Sequence, residues 1–293
     1  MNLAELLRRV RLPEIQTRDL VQDVLAGGYT SVFRGRGLEF AEVREYQPGD
    51  DVRAIDWNVT ARMGSAYVKR YVEERELTVL FVVDHSASGQ FGSRVRTKSD
   101  LATEVCAVLA LAAVHSNDRV GAVLFTDRVE RYVPPTKGRK HALRVIRELL
   151  SFEAQGVSTN LGTALDFVNR VLRRRAVVFI VSDFLGSGYE PALKITARRH
   201  DAFAVQLRDL RERDLPNVGL VALLDPESDR WGHIDTSSHA VRQEFQRRAL
   251  VFETELARFL RRQGVDLIRL ETGRDYVPAL LAFFRMRERL LRH

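Results

Sequence analysis

From Thr78 onward the chain alternates unbroken apolar runs with amphipathic stretches. Thr78–Val83, Val120–Phe125, Ala176–Val181 and Ala202–Leu207 are nearly continuous in Val, Leu, Ile, Phe and Ala, while Val129–Val133 is shorter and more polar. Gly219–Leu224 and Val265–Leu270 complete the set. Helical stretches fall between them, at about 97–115, 139–150, a further helix ending near Arg173, 238–263 and 276–291. A strand that is apolar on both faces has no side to show to water, so it belongs in a buried middle layer. Such strands alternating with helices predict an α/β fold, with a central, mostly parallel sheet and helices on both faces, Rossmann-like in plan.

The pattern before Thr78 is different. Residues up to about Leu25 read as one or two short amphipathic helices, with Gly27-Gly28 as the stop. Between Gly35 and Glu76, Leu38, Phe40, Val43 and Tyr46 sit among charges, and Gln47-Pro48-Gly49-Asp50 carries a turn signal. Val52, Ile55, Trp57, Tyr67, Val68, Tyr71 and Val72 follow. This predicts irregular structure with short strands, in which Trp57 anchors a core, Asp56 caps a turn and Asp50-Asp51 lies in a solvated turn. The domain reading is therefore 1–76 as a helical and irregular β extension packed on the core, and 77–293 as the α/β domain.

Composition narrows the function classes. An apolar share of 45% and a charged share of 29% over 293 residues are those of an ordinary globular protein. No apolar run reaches the roughly 18–20 residues that span a bilayer, and the start Met1-Asn2-Leu3-Ala4-Glu5 does not read as a signal peptide. The one cysteine, Cys106, lies in an Ala/Leu/Val-rich helical stretch and reads as small buried packing. These features point to a cytoplasmic protein with no membrane span. The net charge of +7 invites a nucleic-acid reading, but the arginines are spread along the chain with acids among them. Arg8-Arg9-Val10-Arg11 fits a solvated helix face, and Arg173-Arg174-Arg175 and Arg261-Arg262 fit helix C-termini. No basic block is interleaved with stacking aromatics, so no nucleic-acid partner is expected.

The chemistry gathers at strand ends. Asp84-x-Ser86-x-Ser88 follows the first apolar run, and alternation turns these three side chains one way if the backbone stays extended. Hard oxygen groups converging on one point suit a small hard cation such as Mg²⁺ or Mn²⁺. In open α/β sheets, ligands bind beyond the carboxyl ends of the strands, where strand order reverses. Thr159, in the loop Gly156–Gly162 before a helix, and Asp183, just after Ala176–Val181, fall at matching positions.

Asp84-x-Ser86-x-Ser88, Thr159 and Asp183 together resemble the metal-ion-dependent adhesion site of von Willebrand factor A domains. The resemblance runs from about Leu77 to Leu207, and the order of strands and helices matches. The segments Gly37-Leu38-Glu39-Phe40, Val43-Arg44-Glu45-Tyr46, Pro48-Gly49-Asp50-Asp51 and Arg53-x-Ile55-Asp56-Trp57 resemble family number 58 of the domains of unknown function. That family implies a von Willebrand factor A-like fold and a partnership with MoxR-type AAA+ ATPases. Carried over, the resemblance implies that Ser86 and Ser88 ligate a divalent cation through their hydroxyls, and Thr159 does so directly or through water. Asp84 and Asp183 would hold metal-bound waters. Mg²⁺ is the implied ion, with Mn²⁺ or Ca²⁺ as alternatives. Neutral hydroxyls leave such an ion electron-poor, so the acidic side chain of a partner or client protein can complete its shell. Gly89 stands where the adhesion-site pattern often has Met, which alters local packing but not the ligand count.

Enzyme readings lack parts. A metal-dependent hydrolase using Asp84 and Ser86 is the alternative. Yet Ser86 sits where a haloacid-dehalogenase-type phosphatase needs its second Asp, and neither serine has the flanking glycines of a nucleophile elbow. No Gly-x-x-x-x-Gly-Lys-Ser/Thr loop occurs, so nucleotide hydrolysis is not expected. Alternation turns His85 away from the hydroxyls, as an exposed loop residue, and Asp209, Glu212 and Asp214 fall where they could line the same rim. The expected function is a non-enzymatic, metal-dependent adaptor or co-chaperone.

Overall fold

The computed structural model describes residues 26–33, 39–72, 76–93, 96–225 and 230–292. The helices expected before Leu25 lie outside them. Residues 33–77 form one compact unit, and residues 26–32 with 78–292 belong to the other.

Helix α1 covers residues 26–33, so Gly27 and Gly28 lie within a helix instead of ending one. A Cβ on Gly28 would sit 3.0 Å from the Phe284 ring. The glycine is thus what close approach requires, a demand that sequence alone cannot separate from a stop signal. The Tyr29 hydroxyl, fully buried, donates to Asp118 Oδ2 at 2.8 Å.

In the smaller unit, β1 (Glu39–Glu45) and β2 (Tyr67–Val72) pair antiparallel. Between them lies helix α2 (Trp57–Met63), capped by the Asp56 carboxylate, which accepts from the Asn58 and Val59 amides. Gly64 closes it at φ 78°, a left-handed cap. Asp50 is clamped by Arg44 at 2.6 and 2.8 Å, and that guanidinium holds its carboxyl below the usual range. Trp57 is 65% exposed, so the expected core anchor is a surface residue. None of the seven residues of α2 is buried, so the helix contributes nothing to a core.

The large unit contains strands β3 (Thr78–Asp84), β4 (Arg119–Phe125), β5 (Val129–Thr136), β6 (Val177–Ser182), β7 (Asp201–Arg208), β8 (Leu220–Asp225), β9 (Arg230–Asp235) and β10 (Asp266–Glu271). Its helices are α3 (Lys98–His115), α4 (Arg139–Ser151), α5 (Leu161–Val171), α6 (Glu190–Arg199), α7 (His239–Arg262) and α8 (Val277–Arg292). Six strands form the central sheet in the order β10-β7-β6-β3-β4-β5, with only the edge strand β5 antiparallel. This is the expected mostly parallel α/β arrangement. After β3 the chain builds outward through β4 and β5, then returns to lay β6 on the other flank of β3. The strand order therefore reverses between β3 and β6, where a crevice opens at the carboxyl ends.

Alternation along the strands divides the core. Leu80, Val82, Val178, Ile180 and Ala204 pack with Leu161, Leu165 and Val168 of α5, Leu193 of α6 and Leu256 and Leu260 of α7. On the other face Phe81, Phe179 and Phe203 stack in a row, with centroids 5.6 and 5.3 Å apart, and Phe283 of α8 meets Phe203 edge-on. Cys106 is fully buried in α3, as expected. The run Gly219–Leu224 does not join the central sheet: β8 pairs antiparallel with β9 in a separate hairpin. Helix α6 was not foreseen because only Ala192, Leu193 and Thr196 of its ten residues are buried, which is too faint a stripe to register as periodic.

Two stability predictions follow from this packing. A Cβ on Gly121 would stand 2.6 Å from Val133 O and 2.7 Å from Pro135 N, both main-chain atoms of the neighbouring strand. Gly121→Ala should therefore lower the urea-unfolding free energy by about 1–3 kcal/mol, and an unchanged midpoint would disprove the contact. His200 is buried at the end of α6, with neither ring nitrogen hydrogen-bonded. Burial, then Arg199 and Arg175, push its pKa down to about 4. The unfolded chain takes up that proton first, near pH 6.5, so this contribution to stability is lost as pH falls from about 6.5 to 4. Urea midpoints measured across that window should fall less steeply for His200→Phe than for wild type.

Candidate metal centre

The two central strands end side by side at the crevice. Asp84 is the last residue of β3, and Ser182 and Asp183 end and follow β6. Ser182 Oγ donates to Asp84 Oδ2 at 2.7 Å and accepts from the Phe184 amide. The other Asp84 oxygen accepts from the Ser86 amide at 3.0 Å. A buried carboxylate thus ties both loops to the sheet. Burial, and then the Asp183 carboxylate, push Asp84 up to about 6, against the lowering pull of the hydrogen bonds from Ser182 and Ser86.

Beyond Asp84 the backbone stays extended at Ser86 (φ −60°, ψ 167°) and then winds into a 3-10 turn over Ala87–Gln90. Ser88 therefore stands on a turn and not on the extended backbone that alternation assumed. The turn still brings the hydroxyls together. Ser86 Oγ and Ser88 Oγ lie 3.1 Å apart, and Ser88 Oγ donates to Asp183 Oδ2 at 3.0 Å. Adjacent ligands of an octahedral Mg²⁺, with bonds of about 2.1 Å, are about 3 Å apart. The spacing of these oxygens fits that edge. Thr159 lies on a loop held alongside by main-chain bonds, from Ala87 N to Val157 O at 2.9 Å and from Asn160 N to Thr126 O at 2.8 Å. Asn160 caps α5 through its side chain. Four of the five expected residues are joined by direct hydrogen bonds, and the fifth is brought beside them by its loop. Among the described residues no three His, Cys, Asp or Glu side chains gather as a metal site.

Phe184, next to Asp183, has φ 61° and is fully buried, so a left-handed residue turns the loop just after the carboxylate. His85 is buried and not exposed: its ring meets Phe152 edge-on at 4.9 Å, and burial holds its pKa down at about 4. Alternation correctly aimed it away from the hydroxyls, but that direction leads into the packed interior.

The strand-end pattern left out a buried cation that pairs with the site. Lys98, at the start of α3, is 1% exposed, and its Nζ donates to Asp183 Oδ2 at 2.7 Å and to Glu212 Oε1 at 2.6 Å. Glu212 does reach the rim, through this lysine. Asp209 instead accepts from Ser93 and Thr272, and Asp214 from Gln246. A cation at the head of an apolar helix was the available signal, since the helix dipole disfavours it there. Beside Asp183 an apolar groove of about 520 Å³ runs along Leu185, Leu207, Leu210, Ile234 and Phe252.

A family model described as "Protein of unknown function DUF58" matches residues 42–255. The chain is a DUF58 protein. It is similar to protein Rv1480 of Mycobacterium tuberculosis, 35% identical over 290 residues, which cover 97% of this chain and 90% of the relative. A solved structure of an aerotolerance-related membrane protein from Bacteroides fragilis shares the fold at TM-score 0.50 and 14% identity, covering 73% of this DUF58 protein and 99% of the other chain. The SpRpn10 VWA domain is a looser likeness, at TM-score 0.37 and 11% identity over 70% of this chain and 94% of that one. The DUF58 protein has an α/β fold with a central, mostly parallel sheet flanked by helices. Among its described residues no helix is long and apolar enough to cross a membrane.

The Asp84–Ser182 bridge generates a test. Ser182→Ala leaves a buried carboxylate oxygen without its donor, so stability should fall by about 1–3 kcal/mol, measured by urea unfolding near neutral pH. A variant as stable as wild type would show that the bridge does not hold the two strand ends.

Proposed function

We propose that this DUF58 protein is a non-enzymatic protein-interaction module. It binds the acidic side chain of a partner or client through a divalent cation, Mg²⁺ in the first place, held by Ser86, Ser88 and Thr159 with Asp84 and Asp183 behind them. The observation that carries the reading is the pair of seryl hydroxyls 3.1 Å apart at the switch point, bonded to each other and to Asp183 but to no imidazole among the described residues. His85, the histidine nearest in sequence, is packed on Phe152. The Asp183 oxygen that accepts the Ser88 hydroxyl is already paired with the Lys98 ammonium, which makes it a weak base and favours binding over a nucleophilic role.

When bound, the cation supplies an electron-poor centre with a position open to an outside carboxylate. The chain's own residues orient that position. The rim also favours a protein partner: Phe91, Val157 and Leu185, one on each of three loops around the site, are 43%, 51% and 59% exposed. Apolar side chains around a charged centre match the anatomy of a protein interface better than that of a site for a small hydrophilic substrate. In the cell the module would serve as adaptor or co-chaperone to a MoxR-type AAA+ ATPase.

The test is metal binding followed by capture. Wild type should bind Mn²⁺ or Mg²⁺ in calorimetry, and Ser86→Ala should weaken this by about tenfold or more. Mg²⁺-dependent retention of a MoxR-type ATPase, abolished by chelator and by Ser86→Ala, completes the reading. Equal ion affinity in wild type and Ser86→Ala would refute it.

A further inference from the structure

Lys98 is in an unexpected place for an ammonium group. It occupies the first position of an 18-residue helix, where the dipole repels cations, and it is almost wholly buried. Burial works against its charge, but Asp183 and Glu212 more than offset this and hold its pKa above the ordinary value. The ammonium is a fixed positive charge. It also shares one acceptor atom with the candidate site, because Asp183 Oδ2 takes both Lys98 Nζ at 2.7 Å and Ser88 Oγ at 3.0 Å.

We propose that Lys98 is a tethered cation that competes with the divalent ion for Asp183 and so sets the ion concentration at which the site fills. This rests on the reading of the hydroxyl cluster as a cation site. With no ion bound, the ammonium neutralises Asp183. A divalent ion at the hydroxyls repels the ammonium and draws on the same carboxylate, so Lys98 must give up part of its hold on Asp183.

Its second partner makes that shift feasible. Glu212 lies at the end of the 3-10 turn Leu210–Glu212, which Asp209 caps, and Asp209 is fixed by Ser93 and Thr272. The ammonium can lean towards Glu212 without leaving carboxylate surroundings. Leu210, Glu212 and Arg213 of this turn also line the apolar groove beside Asp183. Filling of the ion site is thereby communicated to one wall of the groove. The arrangement favours an ion of higher charge and excludes monovalent ions, which cannot displace an ammonium already paired at 2.7 Å.

The experiment measures Mn²⁺ binding to the full chain, by calorimetry and by electron paramagnetic resonance of the free ion. Lys98→Met should bind Mn²⁺ about tenfold or more tightly than wild type, while Lys98→Arg, which keeps the charge, stays near wild type. A lysine of purely structural value would give the opposite, because its loss would loosen Asp183 and weaken binding. Folded Lys98→Met with equal or weaker affinity overturns the proposal and leaves the cation site standing. No binding by wild type, Lys98→Met or Lys98→Arg overturns both. If Lys98→Met does not fold, Glu212→Gln decides. It confines the ammonium to Asp183 and should weaken Mn²⁺ binding several-fold, and unchanged or tighter binding refutes the competition.

Discussion

Where the strand order reverses between β3 and β6, two buried strands end next to each other with no connection joining them. Polar groups at such an end find most of their partners inside the protein, since little water reaches them. One carboxylate meets much of that demand. Asp84 takes the Ser86 amide on one oxygen and the Ser182 hydroxyl on the other, and Ser182 in turn takes the Phe184 amide. The loops that present Ser86, Ser88 and Asp183 are therefore fixed by bonds made below the surface. The cost is a negative charge in a poorly solvated place, visible in the raised pKa of Asp84. A positive charge at the rim offsets that cost, whether it comes from an ion or from the protein.

The arrangement is economical in charge. Asp84 and Asp183 bring two negative charges, and Lys98 returns one positive charge to Asp183. The ammonium extends the network across β7 to Glu212, and Asp209 carries it on to Ser93 and to Thr272 after β10. Four of the six central strands thus contribute a terminus or an adjoining loop to one connected polar layer. Helices α3 and α5 begin at this same end, with Lys98 and Leu161 as their first residues.

Much of this was legible in the chain because it follows from local pattern. Continuous apolar runs located the strands, and the residues just past two of them, Asp84 and Asp183, proved to face each other across the switch point. What escaped reading depends on distance or on cover. The hydrogen bond from Ser182 to Asp84 spans 98 residues, and the ion pair from Lys98 to Asp183 spans 85. No local spacing encodes either. The run Gly219–Leu224 looks like a buried strand, yet Leu220 and Leu224 are exposed, since an apolar sequence is the same whether or not something lies over it. Trp57 and His85 failed in opposite directions for this reason: one was expected inside and the other outside.

Phe184 brings a further consequence, for the history of the family. It must place an aromatic ring in the core, edge-on to Tyr189 at 6.0 Å, while holding a left-handed backbone at φ 61°. These demands favour different residues. Glycine would relax the backbone but leave a void where the ring was, and valine or isoleucine would fill space while raising the backbone strain. Few single substitutions satisfy both. Lineages that share this geometry should therefore drift slowly here, at a position that touches no ligand, because the aim of the neighbouring carboxylate depends on it.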